Sequence, residues 1–229
     1  MNTIIIGMGE VGRALRKVLS DYEPQWADSG PARQAHGEYD IMHICFPYSD
    51  NFVKYVKEYQ EKYKPAYTVI HSSVPVGTSS QCSATHSPIR GLHPHLESGI
   101  RTFPKFIGGQ QASDVADYFR RAGLKVVLFD KSETTEAMKL FDTLYYGVCI
   151  EFAKEVKRYC DGNGLNFSDV YRLANMTYND GYKELGHPEF VRPVLEPIMK
   201  VTGGHCVVEN SAMIDTPLAK FVKSENVKS

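Results

Sequence analysis

Thr3-Ile4-Ile5-Ile6-Gly7-Met8-Gly9-Glu10-Val11-Gly12 is the stretch that decides the fold. A short β-branched run meets a glycine turn, and Arg13 to Leu19 then carries Ala14, Leu15, Val18 and Leu19 at helical spacing. Strand, glycine turn and helix in this order is the context in which G-x-G-x-x-G holds a dinucleotide. The three glycines serve different ends. One makes the tight turn, one lets the backbone approach the pyrophosphate, and one lets helix and strand pack closely. The pyrophosphate sits at the positive end of the helix. Gly7, Gly9, Glu10, Val11 and Gly12 are therefore expected to bind the cofactor.

Working outward, the pattern requires a second strand ending in an acid about 20 residues on. Gln25-Trp26-Ala27-Asp28 fits, although only Trp26 is a good strand former. A carboxylate at Asp28 would accept ribose hydrogen bonds and repel a 2′-phosphate, which favours NAD over NADP. The competing reading makes Asp28 a turn residue before Ser29-Gly30-Pro31, and Arg33 leaves NADP open.

Asp40–Pro47 reads as a buried parallel strand, Asn51–Lys64 as a helix and Tyr67–His71 as a strand. Ser72–Thr78 reads as a turn followed by a short helix. Pro88-Ile89 and Lys125–Phe129 are further strand candidates, with a helix over Ala112–Ala122. Alternating strands and helices predict an α/β fold: a Rossmann-type, doubly wound parallel sheet over residues 1–130. Ligands bind beyond the carboxyl ends of such strands, and Pro47, Ser72, Ser73 and Arg90 lie just past them.

After residue 130 the pattern changes. Ser132 can cap a helix with Glu133 and Glu136 in its first turn. Glu133 to Cys160 contains no proline and only Gly147, and Gly162 and Gly164 end it. Such a helix spans roughly 40 Å, longer than a small sheet covers. Its wide apolar surface is expected to be buried by a second subunit, giving a homodimer through residues 133–160; the alternative is that the C-terminal helices cover it. The rest of 131–229 is expected to be a small helical domain. Val170–Met176 reads as helix, Tyr178–Thr202 as broken helix and loop, and Lys220–Ser229 as a frayed tail.

Composition excludes several classes. The 229 residues are 42% hydrophobic and 23% charged, with a net charge of −1. No strong field invites nucleic acid or an anionic membrane. No apolar run reaches the roughly 18 residues that span a bilayer, and the N-terminus reaches glycine and glutamate too soon for a signal peptide. Five cysteines without a C-x-x-C pair favour free thiols, a reducing compartment and a cytoplasmic location. His93-x-His95 with His86 lacks further ligands at a familiar spacing, so no metal is expected.

Three further segments carry a resemblance. Ser72–Thr78 reads S-S-V-P-V-G-T, Glu136–Asp142 reads E-A-M-K-L-F-D, and Gly203–Val207 reads G-G-H-C-V. In order and approximate spacing these resemble the S-T-V-P-V-G-T turn, the A-E-x-x-K-L-x-x-N helix start and the G-G-H-C-I loop of the nucleotide-sugar dehydrogenases. That group oxidises UDP-glucose or GDP-mannose and lies within the 6-phosphogluconate and β-hydroxyacid dehydrogenase superfamily. The resemblance implies an NAD(P)-dependent dehydrogenase acting on a small, anionic or sugar-derived alcohol. It implies Cys206 as the nucleophile that catches an aldehyde, Lys139 as the ammonium that steadies an oxyanion or moves a proton, and Ser73 as an orienting hydroxyl. Cys206 as a small core residue is the competing reading.

Three positions depart from that pattern. Its asparagine after the lysine is Thr143, its acid after the cysteine is Asn210, and its S-P-E-F segment reads Ser87-Pro88-Ile89-Arg90-Gly91. These positions serve oxyanion binding and water activation, so one hydride transfer is easier to support than two. The relatives continue into a nucleotide-gripping domain after the cysteine loop, and only 23 residues follow Cys206 here; a shortened form is expected. His86–Gly91 also resembles the D-A-P-V-S-G substrate motif of β-hydroxyacid dehydrogenases. Arg90 there suits a carboxylate or phosphate, with His93 and His95 in a loop that can close over it. A β-hydroxyacid-type enzyme without a covalent step, and a catalytically degenerate NAD-binding protein, stand as alternatives.

Overall fold

The computed structural model describes residues 1–28, 37–197, 199 and 204–227, the side chains of 204, 205 and 227 excepted. Two compact units divide the chain, Met1–Lys139 and Leu140–Ser229. The boundary falls within one long helix.

The first unit is built on a seven-stranded sheet: β1 (Thr3–Ile6), β2 (Gln25–Ala27), β3 (Ile41–Ile44), β4 (Tyr67–Ile70), β5 (Thr85–His86), β6 (Lys105–Gly108) and β7 (Val126–Phe129). Their order is β2-β1-β3-β4-β5-β6-β7. The order reverses at β1, where β2 pairs on one side and β3 on the other, and this is the point at which doubly wound sheets bind ligands. β1, β3 and most of β4 are buried on both faces, which explains their unbroken apolar runs. Alternation sends Ile5, Ile41, Val69 and Ile107 to one face. There α1 (Glu10–Val18), α4 (Leu96–Thr102) and α5 (Ala112–Arg121) pack through Leu15, Ile100 and Phe119. Ile4, Ile6, Met42, Ile44 and Ile70 face the other way, against Phe52 and Val56 of α2 (Phe52–Tyr63). A short α3 (Thr78–Gln81) follows the turn after β4.

Gln25–Ala27 forms the expected second strand, as an edge strand paired only with β1, which tolerates its weak strand composition. The strand expected at Pro88-Ile89 lies earlier, at Thr85-His86. Proline has no N–H to give a ladder, and the chain leaves the sheet there. The helix α4 and strand β6 are additions to the expected pattern. β6 runs antiparallel to β5, pairing His86 with Gly108, and β7 follows β6 in parallel. The last two strands therefore begin where the other five end.

α6 (Ser132–Asn163) is the long helix, 32 residues and about 48 Å. In the second unit Ser168–Glu184 is continuously helical: a wider first turn passes into α7 (Ala174–Glu184), longer than the expected Val170–Met176. A short 3-10 turn at Pro188–Phe190 and extended chain follow. The expected frayed tail is instead α9 (Pro217–Val227), because Ala219 and Val222 are fully buried with Leu144 and Val207. Gly147 permits this approach, since a Cβ there would lie 2.6 Å from the Val207 side chain. The expected Gly-Gly-His-Cys loop is helical from Gly204 onward, as α8 (Gly204–Ala212). Among the described residues no helix is long and apolar enough to cross a membrane.

Candidate active site

The glycine turn follows β1 directly. Gly7 adopts φ +92°, a region closed to most side chains, and its N–H binds Ala27 O at 2.9 Å. A Cβ on Gly12 would stand 2.0 Å from Gly7 O, so helix and turn meet in the only way glycine allows. Gly9 differs, because a Cβ there would meet nothing within 4 Å. Folding alone does not require a bare backbone at that position, whereas an approaching pyrophosphate does. The Asp28 carboxylate, just past β2, accepts the Met8 N–H at 3.3 Å and so stands beside the same turn. A cleft of about 670 Å³ opens there, lined by Gly7, Asp28, Phe46, Pro47, Tyr55 and Tyr59 among others. Ser29–Pro31 and Arg33 lie outside the described residues. Glu10 in the turn pairs with His93 Nδ1, joining the glycine turn to the 93–95 loop. Val11 is half-buried behind it, and His95 is exposed at the N-terminal end of α4.

The second component is the turn after β4. Ser72 donates its hydroxyl to Phe46 O at 2.6 Å, and Ser73 follows, half-buried. Glu136 of α6, fully buried, receives the backbone N–H groups of Gly77 (2.6 Å) and Ser79 (2.8 Å). One carboxylate thereby fixes the turn and the start of α3 to α6. The His86 Nε2–H donates to Ser72 O at 3.2 Å, and its Nδ1 faces Thr135 Oγ1 at 2.9 Å. Burial, with Lys105 and Lys139 nearby, pushes His86 down to about 3 against the Ser72 hydrogen bond. It is a neutral strut.

The third component lies past β5. Lys139, one turn along α6 from Glu136, donates to Ile89 O at 3.1 Å. The next residue, Arg90, lies over the rings of Phe103 (4.9 Å) and Phe106 (4.7 Å), which hold its guanidinium flat. The carboxyl ends of β1 to β5 thus gather Gly7–Gly12, Asp28, Pro47, Ser72, Ser73, Lys139, Arg90 and His93 within the first unit.

Thr143, Asn210 and Cys206 belong to the second unit. Asn210 donates to Thr143 Oγ1 at 3.1 Å, while the Thr143 hydroxyl donates to Leu140 O at 2.9 Å. Two of the positions that depart from the nucleotide-sugar pattern are therefore bonded to each other. Cys206 is exposed on α8, which sets aside the core reading. Gly203 lies outside the described residues. Among the described residues no group of three His, Cys, Asp or Glu side chains forms a metal site.

Glu136, the Phe103–Phe106 pair and the buried His43, His71 and Lys105 are positions around the site to which sequence reasoning gave no role. The available signals were a histidine inside the apolar run Ile41–Ile44 and a lysine opening Lys105–Gly108.

No family model matches this chain. The UDP-N-acetyl-D-mannosamine dehydrogenase of Methanococcus vannielii is 27% identical over 170 residues, covering 68% of this chain and 36% of that protein. Its counterpart from Methanococcus maripaludis is 26% identical over the same length. The chain thus spans 36% of the length of these relatives. The solved UDP-N-acetyl-mannosamine dehydrogenase of Staphylococcus aureus superposes with a TM-score of 0.73 at 15% identity, covering 100% of this chain and 68% of that one. Mycobacterium tuberculosis 3-hydroxyisobutyrate dehydrogenase gives 0.69 at 13%, covering 100% and 94%. The structural likenesses are likenesses of fold. The sequence matches bear out the resemblance to nucleotide-sugar dehydrogenases.

Proposed function

We propose that this chain is an NAD(P)-dependent dehydrogenase that oxidises a hydroxyl group of a small, anionic or sugar-derived substrate. The observation that carries it is the glycine turn, closed at Gly7–Gly12 by contact, open at Gly9, and flanked by Asp28. The Met8–Gly12 backbone would hold the pyrophosphate at the start of α1, and Asp28 the adenosine ribose, which favours NAD. A bound nicotinamide dinucleotide supplies the hydride acceptor. Lys139 Nζ then holds or removes the proton of the substrate hydroxyl. Arg90, braced by two aromatic rings, offers a planar donor to a carboxylate or phosphate, with His93 and His95 beside it and Ser73 orienting a hydroxyl.

In the fuller reading the aldehyde is caught by Cys206 Sγ as a thiohemiacetal before a second oxidation. The bond between Thr143 and Asn210 favours the simpler alternative, one reversible hydride transfer without a covalent step, because it occupies both side chains with each other. A nucleotide-binding protein without turnover is the third reading. The exposed aromatic stripe of α6 supports a homodimer, and the free thiols support a reducing, cytoplasmic setting.

The test has two parts. Fluorescence titration with NADH and NADPH is expected to give saturable binding, tighter for NADH. Turnover with NAD is then assayed on UDP-N-acetylmannosamine, UDP-glucose and a panel of 3-hydroxy acids. Absence of NADH and NADPH binding sinks the proposal, and binding without turnover leaves the third reading. Cys206→Ala separates the other two, since unchanged turnover removes the covalent route.

A further inference from the structure

The sheet interior holds a row of polar side chains that this chemistry does not use. Thr3 on β1, His43 on β3, His71 past β4, Tyr118 on α5 and Lys105 at the start of β6 are each at most 3% exposed. The row has one consistent proton order. Ser87 O can only accept, so His71 gives it the Nδ1–H, at 2.6 Å. The neutral ring then accepts at Nε2 from the His43 Nδ1–H at 2.9 Å. His43 Nε2 in turn accepts the Tyr118 hydroxyl at 3.4 Å, and Thr3 Oγ1 lies 3.1 Å from that oxygen. Burial first, and the Lys105 charge second, push His43 down to about 3 and His71 well below its ordinary value. Both rings are neutral.

Lys105 stands at the end of this row, at the ligand edge of the sheet, because β6 is reversed. Its Nζ donates to Ser87 O at 3.1 Å and to Pro88 O at 3.4 Å, and lies 5.4 Å from the Phe119 ring centre. Facing it are His43 on β3, Cys45 just past it, His71 past β4, His86 from β5, Lys139 from α6 and the Phe119 ring from α5. Among the described residues no carboxylate forms an ion pair with it. A buried ammonium in this position rests on carbonyl dipoles and the face of one aromatic ring. The next carbonyl, Ile89 O, receives Lys139. Three successive carbonyls leading into Arg90 are therefore held by two lysines.

We propose that Lys105 is a positioning residue: its ammonium holds the Ser87 and Pro88 carbonyls, so setting where Ile89 anchors Lys139 and where Arg90 is presented. Its protonation is the variable that tightens or loosens this segment. The proposal rests on the reading that Lys139 and residues 87–91 face the substrate. A charged donor holds a carbonyl about twice as strongly as a neutral one, so losing the proton loosens both contacts. Burial, partly offset by Cys45 and reinforced by Lys139, pushes the amine down to about 7, within reach of ordinary solution conditions.

The experiment follows lysine 13Cε signals and the backbone 13C carbonyl signals of Ser87, Pro88 and Ile89 by NMR of the full chain between pH 6 and 9. Wild type is compared with Lys105→Met and Lys105→Arg, and NADH titration runs in parallel. One lysine is expected to titrate near 7 and to vanish in Lys105→Met. The Ser87 and Pro88 carbonyls should shift with the same midpoint in wild type and stay flat in both variants, with NADH affinity unchanged within twofold. Carbonyls that do not titrate in wild type, or titrate equally in the variants, overturn the proposal. If Lys105→Met does not fold, Lys105→Arg, with its permanent charge, decides on the same criterion. Failure of wild type to bind NADH would count against the dehydrogenase reading and leave the carbonyl titration to judge Lys105.

Discussion

Glu136 and Gly77 are joined by a 2.6 Å hydrogen bond from the glycine N–H to a fully buried carboxylate, which also takes the Ser79 N–H. This carboxylate is a structural anchor, one helical turn before Lys139. Glu136→Ala is expected to cost about 2–4 kcal/mol, because a buried and a half-buried donor lose a charged acceptor. Glu136→Gln keeps one oxygen and should cost about 1 kcal/mol. Urea unfolding midpoints check both, and an unchanged midpoint in Glu136→Ala would remove the anchor role.

The glycine turn separates folding from binding. Gly12→Ala puts a methyl group 2.0 Å from Gly7 O and must displace backbone, so stability and NADH affinity should fall together. Gly9→Ala meets open space. Its melting temperature should match wild type while NADH affinity drops at least tenfold, a loss of about 1.4 kcal/mol. Retained affinity in Gly9→Ala would mean that no phosphate approaches there.

Acid should unfold the first unit early. His43 and His86 have folded values near 3 against 6.5 in the unfolded chain. The unfolded state binds the protons first, so stability is full above 6.5 and falls as pH drops from 6.5 towards 3. Each such group contributes up to about 1.4 kcal/mol per pH unit. Lys105 has the same sign in a higher window, with stability rising from about 7 towards 10.5. Urea unfolding at pH 7.5 and 5.5 should differ by at least about 2 kcal/mol, and equal stability would contradict neutral buried rings.

The long helix carries a test of assembly. Phe141, Tyr145, Phe152 and Tyr159 are each at least half exposed, and their spacing of four, seven and seven puts them on one face. A second copy of the chain is the expected cover. Tyr145→Glu with Phe152→Glu should halve the mass found by light scattering, with the helix content unchanged in circular dichroism. A wild type that already runs at 25.8 kDa would remove the dimer.

The glycine-turn half of the candidate site was legible because its geometry is local. Gly7, Gly9, Gly12 and Asp28 lie within one β-α-β unit, and each residue type answers a backbone or charge requirement. Lys139 and Arg90 were legible as residue types, but their supports were not. The partners of Glu136 are backbone groups 57 and 59 positions away, and of the rings under Arg90 one closes α4 and the other lies on a strand whose direction no local pattern announces. The histidines were hidden for a related reason: only pairing of β3 beside β4 places His43 against His71. Proline explains the misplaced strand at Pro88. The helical tail needed the Leu144–Val207 surface to bury Ala219 and Val222.

The reversal of β6 has a wider consequence. Had this strand run with β5, its first residue would lie at the opposite edge, about 10 Å away, far from the Ser87 and Pro88 carbonyls. A reversed strand lets the sheet contribute a strand beginning, as well as strand endings, to its ligand edge. Residue 105 therefore reaches the ligand edge from beneath, without a lengthened loop to carry it.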